Sequence, residues 1–441
     1  MMQPSESVSR RLLLNALSLY LVQGCTYLLP LITFPYLARV LGPKGWGTVL
    51  FSQAIGAAIA AVVEYGFEFS ATREVARFSH QKQRLQELVA GVLGAKAVLA
   101  TLGLIVVILA RPYTLRVAAS PALFWASLFW GVAQGINMLW YFQGLQRMAW
   151  AGGLDIAGKV VATVCIFVFV RQPEDGWKVM MAQALGCGVS HAITVGIASY
   201  EVGFCWPRPR LVMEALRLSW SMFLFRASMG LFSSANGLVL GFLASPIAVG
   251  WYGAADKFRQ IALQAQWPIN QTLFPHQAHK VKQNALNGIR TVTRSLVILG
   301  GLSAVFAVVL ILCAPLLVNV VLGPAFLPAV PVLRVLAFMV PLQTLCTVIS
   351  AQWMLPLGFE SDCSFVVVTA GILNLTLGGL LSWKLGALGM ATAACFAQLY
   401  SLLALHVLSR RKGLSPIAGL KYWFSAASRI SAYDLERRDV E

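Results

Sequence analysis

The chain has 441 residues, of which 58% are hydrophobic and only 12% charged, with a formal net charge of +17. Soluble domains carry about 25% charged residues, so a water-soluble fold is excluded: there is too little polar surface to cover it. The basic surplus is what a membrane chain gathers in its cytoplasmic loops, and no nucleic acid is expected as a partner.

A hydrocarbon core of about 30 Å takes about 20 apolar residues per helix. Apolar runs set against breakers predict an all-α polytopic membrane protein of about 12 transmembrane helices. They fall at 12–38, 47–68, 88–110, 121–141, 152–171, 178–200, 217–243, 247–272, 292–322, 328–356, 362–383 and 386–408. The first run is too long for a signal-peptide core and lacks a small-residue cleavage site, so it is expected to remain as a span. The eighth, within "GWYGAADKFRQIALQAQWPINQTLF", is amphipathic and counts as a span because the charge pattern fails without it.

With the N-terminus cytoplasmic, the outer segments hold only Arg39, Lys44, Arg111, Arg116, Arg171, Lys178 and Lys384. The inner segments hold about three times as many Lys and Arg, the bias that sets orientation. Both termini are therefore expected in the cytoplasm. The outer loops are too short for an extracytoplasmic domain. The inner connectors 70–87 and 272–291 are basic and polar, and the first is expected to form a surface helix. The tail from 411 mixes aromatic and basic residues that suit an anionic leaflet or a frayed end. Eight cysteines lie scattered without Cys-x-x-Cys or Cys/His clusters, so no disulfide framework, metal site or cofactor is expected.

"YLARVLGPKGWGTVLF", from Tyr36 to Phe51, closes one apolar run on Leu-Ala, turns, and restarts on Gly-Trp. About two hundred residues on, "FLASPIAVGWYGAADKF", from Phe242 to Phe258, does the same. One corner joins spans one and two, the other spans seven and eight. This predicts two six-helix lobes, 1–205 and 206–410, followed by a tail, 411–441. Six being even, the halves enter the membrane the same way round, as parallel repeats do, with a cavity between them.

"YGFEFSATREVARF" (Tyr65 to Phe78), "LWYFQGLQRM" (Leu139 to Met148) and "PYLARVLGPKGWG" resemble stretches of the Wzx-type polysaccharide-exporting flippases. "LFPHQAHK" (Leu273 to Lys280) is a weaker echo. The resemblance implies a V-shaped pair of lobes in the bacterial inner membrane and export of undecaprenyl-pyrophosphate-linked oligosaccharide. It also implies membrane lipids, a polysaccharide polymerase and a chain-length regulator as partners.

Ionisable groups inside spans are costly and by default face a bundle interior or a wet cavity. Here they are Glu64, Glu68, Lys96, Asp155, Lys159, Arg226, Asp256, Lys257, Arg259 and Arg334. Asp155 and Lys159, spaced i, i+4, share a helix face and can pair. Glu64 and Glu68 share a face with like charge; they are read either as partners of Arg73 or Arg77 or as a proton site. Asp256, Gln260, Gln264 and Gln271 make a polar stripe edged by Asn270, which suits a cavity wall or interhelical hydrogen bonds.

Guanidinium forks match phosphate oxygens, so Arg226, Lys257 and Arg259 are candidate contacts for an anionic headgroup, with Gln260 and Gln264 beside them. Arg39 is a candidate at the outer mouth and Arg334 in span ten; snorkelling is the competing explanation for both. Without a Walker-type phosphate loop, any coupling is to an ion gradient, with Glu64, Asp155 (with Lys159) and Asp256 as carriers, or else transport is pulled by downstream consumption. Two alternatives share the architecture: a multidrug or cation exporter and a peptidoglycan-precursor flippase. A membrane-embedded polymerase is disfavoured because the outer loops are too short to hold catalytic groups, and no catalytic residue is assigned.

Overall fold

The computed structural model describes residues 5–112, 120–233, 235–266 and 285–412. Apart from short turns and connectors these are helical, with no strand among them. Eight helices of the described chain are long and apolar enough to cross a membrane. Their outer faces confirm the solvent. Along Ala285–Leu322 the residues Val305, Leu312, Leu316 and Val320 are each more than half exposed. So are Val161, Val164, Val168 and Phe169 of Met148–Phe169. Apolar surface on that scale is sheltered by lipid. The chain is an all-α polytopic membrane protein.

Helix α1, Ser5–Glu64, is continuous except at Gly42, where φ is 65°. The sequence placed a loop over 39–46; the chain needs only one residue. A glycine takes the left-handed backbone at little steric cost, and Pro43 is pre-set for the first turn of the next arm. Phe34 and Trp46 have ring centroids 5.6 Å apart, although a straight helix would separate them by about 18 Å. The connector expected as one surface helix over 70–87 is instead α2, Phe67–Arg77, then a turn, then the start of α3, Lys82–Leu109.

Next come α4 (Pro121–Gly135), α5 (Leu139–Gly144), α6 (Met148–Phe169) and α7 (Gly176–Val202). The run continues with α8 (Pro209–Ser233), α9 (Ala235–Leu243) and α10 (Pro246–Gln264). After these stand α11 (Ala285–Leu322), α12 (Ala329–Ala337), α13 (Met339–Thr347), a π-helical turn at Val348–Met354, and α14 (Glu360–Arg411). The connector 272–284, the echo at Leu273–Lys280 and the tail from 413 lie outside the described residues.

α14 carries the two expected spans 362–383 and 386–408 in one run, broken at Gly386 with φ 56°. It folds back on itself. Tyr400 donates its hydroxyl to Thr369 at 3.1 Å, where a straight helix would hold them about 46 Å apart. Lys412 reaches Asp362 to close the ends.

The chain packs as two compact units, Met1–Gly250 with Val321–Ala325, and Trp251–Val320 with Phe326–Glu441. This grouping by contact differs from the repeat boundary at 205/206, because α8 packs on α2 and α3 within the first unit. The first unit's inner core joins Phe67, Ala71, Val75, Val89, Trp140, Tyr141 and Phe142. The second is built on Val292, Leu299, Ile349, Trp353 and Val366.

Within the first unit the two matching corners touch. A Cβ on Gly47 would lie 1.7 Å from the Pro246 carbonyl oxygen, and one on Gly250 2.1 Å from that of Pro43. The second corner bends before Pro246, where α10 begins, so its Gly250-Trp251 pair lies inside a helix.

Candidate functional site

At one end of the first unit, α1 runs into α2 through Tyr65 and Gly66, with φ of 46° and 76°. A left-handed tyrosine is uncommon and is held only where its surroundings fix it. Here the Tyr65 ring stacks on Phe223 with centroids 4.5 Å apart. A Cβ on Gly66 would meet the backbone of Met222 and Phe223 at 2.9 Å. Ser70 and Ser219 share a hydrogen bond of 2.6 Å. Ser219, Phe223 and Arg226 recur at helical spacing on one face of α8, so this face docks on the α1–α2 junction.

That docking delivers Arg226 to two acids. Its guanidinium donates to Glu64 Oε1 at 3.1 Å and pairs with Glu68; it also sits 5.7 Å from the Phe69 ring centroid. The Arg226 side chain remains 38% exposed and Glu68 43%, so solvent or a ligand reaches the cluster. Beneath it lies Lys96 of α3, 1% exposed. Lys96 Nζ donates to the carbonyls of Gly135 at 2.9 Å and Asn137 at 2.7 Å and interacts electrostatically with both carboxylates. The sequence read Glu64 and Glu68 as partners of Arg73 or Arg77 or as a proton site; their cation comes instead from α8.

The two internal stretches Tyr65–Phe78 and Leu139–Met148 pack on each other. Thr72 donates to the Trp140 carbonyl at 3.2 Å, and Gly144 lies against Val75, where a Cβ would be 2.6 Å away. From the second stretch, Tyr141 and Arg147 both hold Glu201, at 3.1 and 2.9 Å.

A second cluster joins α6 to α7. Asp155 and Lys159 form the expected pair at 2.7 Å. His191, buried in α7 and not singled out from the sequence, places Nε2 3.9 Å from Asp155 Oδ1. Its Nδ1 lies 2.8 Å from the Ala133 carbonyl. A carbonyl only accepts, so Nδ1 carries the hydrogen and a neutral ring turns a lone pair toward the carboxylate. The signal was available: a histidine in an apolar span is itself an intramembrane titratable group. Beside this cluster, α6 and α7 form an apolar groove of about 590 Å³ lined by Val161, Cys165, Leu185 and Val189.

The third cluster lies in the second unit on α10 and α13. Arg259 Nε donates to Asp256 at 2.6 Å, and its Nη1 to Gln343 Oε1 at 2.6 Å. Gln260 Nε2 donates to the other Asp256 oxygen at 2.6 Å. Arg259 and Asp256 are 14% and 17% exposed. Lys257 and Gln264 are half-buried on the same helix. Gln266, beyond the helix end, accepts from Thr344 at 3.2 Å. Asn270 and Gln271, the far end of the expected stripe, lie outside the described residues.

Arg39 and Arg334 stand apart from all three clusters. Arg39 Nε donates to the Val321 carbonyl at 3.0 Å, at the C-terminal end of α11, where a cation suits the helix dipole. Arg334 is exposed, its Nε 3.4 Å from the Ile311 carbonyl. Among the described residues no group of three or more His, Cys, Asp and Glu side chains is placed to hold a metal ion.

Residues 12–280 match the family described as "Polysaccharide biosynthesis protein". A protein of Escherichia coli (strain K12) named "Putative O-antigen transporter" is 29% identical over 365 residues, covering 82% of this chain and 88% of that protein. One of Shigella dysenteriae with the same name is 28% identical over 399 residues, covering 87% and 96%. Among solved structures, a lipid II flippase MurJ in an inward closed conformation superposes with a TM-score of 0.68 at 12% identity, over 90% of this chain and 87% of that one. An inward-facing multidrug transporter of the MATE family gives 0.68 at 14% identity, over 90% and 96%. At such identities these neighbours speak for the fold alone.

Proposed function

The chain belongs to the polysaccharide biosynthesis protein family, and we propose that it flips undecaprenyl-pyrophosphate-linked oligosaccharide repeat units across the bacterial inner membrane by alternating access. The observation that carries this reading is the match, over most of the chain, to two proteins named for O-antigen transport. The structural neighbours include both a lipid flippase and a drug exporter, so the fold does not choose between cargoes. The side chains offer contacts to an anion: Arg226, Lys257 and Arg259 are cations placed in or beside membrane-spanning helices, and Arg226 and Arg259 are held there by carboxylates whose place a phosphate oxygen can take. A pyrophosphate offers them oxygens in place of water.

In this reading the repeat gives the lobes 1–205 and 206–410, with both termini cytoplasmic. Arg226, Lys257, Arg259, Gln260 and Gln264 contact the cargo. Arg39 and Arg334, already engaged with helix carbonyls, take the last place among the candidates. Glu64, Asp155 with Lys159 and His191, and Asp256 are the groups that would carry a coupled ion. A polymerase and a chain-length regulator would act on the cargo after it crosses.

Expression in a cell lacking its own repeat-unit flippase tests the function. Surface polysaccharide should return when the glycan matches. Lipid-linked units that stay on the cytoplasmic leaflet, despite normal insertion of the protein, would refute it.

A further inference from the structure

We propose that Arg226 is handed from the carboxylates of Glu64 and Glu68 to the cargo's pyrophosphate, and that the vacated carboxylate pair then takes up one proton. This rests on the anionic cargo of the proposed function and names the step that captures it.

The charges at the junction balance in the structure as it stands. Two carboxylates, Glu64 and Glu68, face two cations, Arg226 from α8 and Lys96 from α3. α4 and α5, which also pack here, carry no charged side chain; the further charges are Arg73, Glu74 and Arg77 on α2, Lys82, Arg84 and Glu87 on α3, and Arg210, Glu214 and Arg217 on α8. The two cations are held differently. Lys96 is fully buried with its ammonium committed to the carbonyls of Gly135 and Asn137, so it cannot leave. Arg226 is 38% exposed, and its partners among the described residues are the two carboxylates and the Phe69 ring, so its guanidinium can turn to another anion.

A pyrophosphate competes well for it, being a multiply charged acceptor matched to the planar fork. When Arg226 turns away, two carboxylates remain with one ammonium. That leaves an uncompensated negative charge in a partly buried site, and two carboxylates sharing a site relieve such a charge by holding a proton between them. Cargo and proton thus bind together. Linkage fixes the sign: lower pH on the inner side strengthens capture, and capture draws a proton in. The pair is a capture switch, and by itself it draws no energy from a proton gradient directed inward.

The test uses the full chain in lipid nanodiscs, with farnesyl pyrophosphate as the probe and farnesol as the uncharged control. Proton uptake is read in weak buffer with a pH indicator, and affinity is followed across about two pH units around neutrality. The native protein should take up about one proton per bound pyrophosphate, and its affinity should fall about tenfold per pH unit, beyond the probe's own titration. Glu64→Gln/Glu68→Gln should bind at least as tightly, without that uptake or slope. Either single variant should behave the same way, since one carboxylate is already balanced by Lys96, so the test survives if the double variant does not fold. Equal uptake in native and variant proteins would overturn the exchange and leave the cargo assignment standing. Failure of native protein to bind the pyrophosphate better than farnesol would overturn both.

Discussion

The charge clusters around Arg226 and Arg259 contain the same chemistry, an arginine against carboxylate, and are built in opposite ways. Arg259 finds Asp256 three residues away on its own helix, and its second partner, Gln343, completes a site that is largely buried. Arg226 reaches acids 162 and 158 residues away across a helix junction, and stays half-exposed. The local cluster is pre-assembled whenever α10 is helical. The long-range one exists only while α8 lies on the α1–α2 corner, so it reports on packing that can change. A pair made by tertiary contact is the better switch; a pair made by helix periodicity is the better fixed contact.

The sharpest way to break that contrast is Arg226→Ala. It leaves Glu64 and Glu68 with Lys96 alone, and export should fall by about a hundredfold, equivalent to roughly 2.7 kcal/mol. Removing one acid along with it, as Glu68→Gln/Arg226→Gln, leaves the remaining carboxylate with Lys96 and should restore the melting temperature without restoring export. If export also returns, the cluster serves packing only. Lys96→Met comes next. It orphans two buried carbonyls and should cost about 2 kcal/mol, read as a lower melting temperature in detergent and loss of folded protein at the membrane. Arg259→Ala should reduce export about tenfold, with roughly 1–2 kcal/mol lost from the partly buried pair. Gln343→Leu should reproduce part of that effect and leave the Arg226 cluster untouched. Smallest of all, Arg334→Ala should change stability by less than about 0.5 kcal/mol and leave export within about twofold of native. A large effect there would move the cargo path toward α12.

How far each cluster could be foreseen follows the same division. Asp155 with Lys159, and Asp256 with Gln260, are visible as i, i+4 spacing, because one helix turn is short-range geometry. The apolar spans were equally legible, since lipid demands length and composition. The corners were legible only in part: a break was expected over 39–46 and at 384–385, but not that the single residues Gly42 and Gly386 would make them. Nothing in the sequence around Glu64 says that its cation lies on α8. The nearest basic residues, Arg73 and Arg77, were the natural guess, and no periodicity relates positions so far apart. His191 is different: a histidine in an apolar span is visible in the sequence, but its position beside Asp155 depends on how α6 packs on α7.

The contact of Gly47 and Gly250 with the carbonyls of Pro246 and Pro43 is made by main chain alone. A joint of that kind freezes no side-chain rotamers when it forms and frees none when it parts, so closing and opening it carry almost no side-chain entropy. The same feature leaves it without slack: an added methyl group at either glycine has nowhere to go, and the helices must separate to admit it. The repeated Gly-Trp corner therefore marks a place within the first unit where two chain segments meet main chain to main chain, with no side chain to adjust between them.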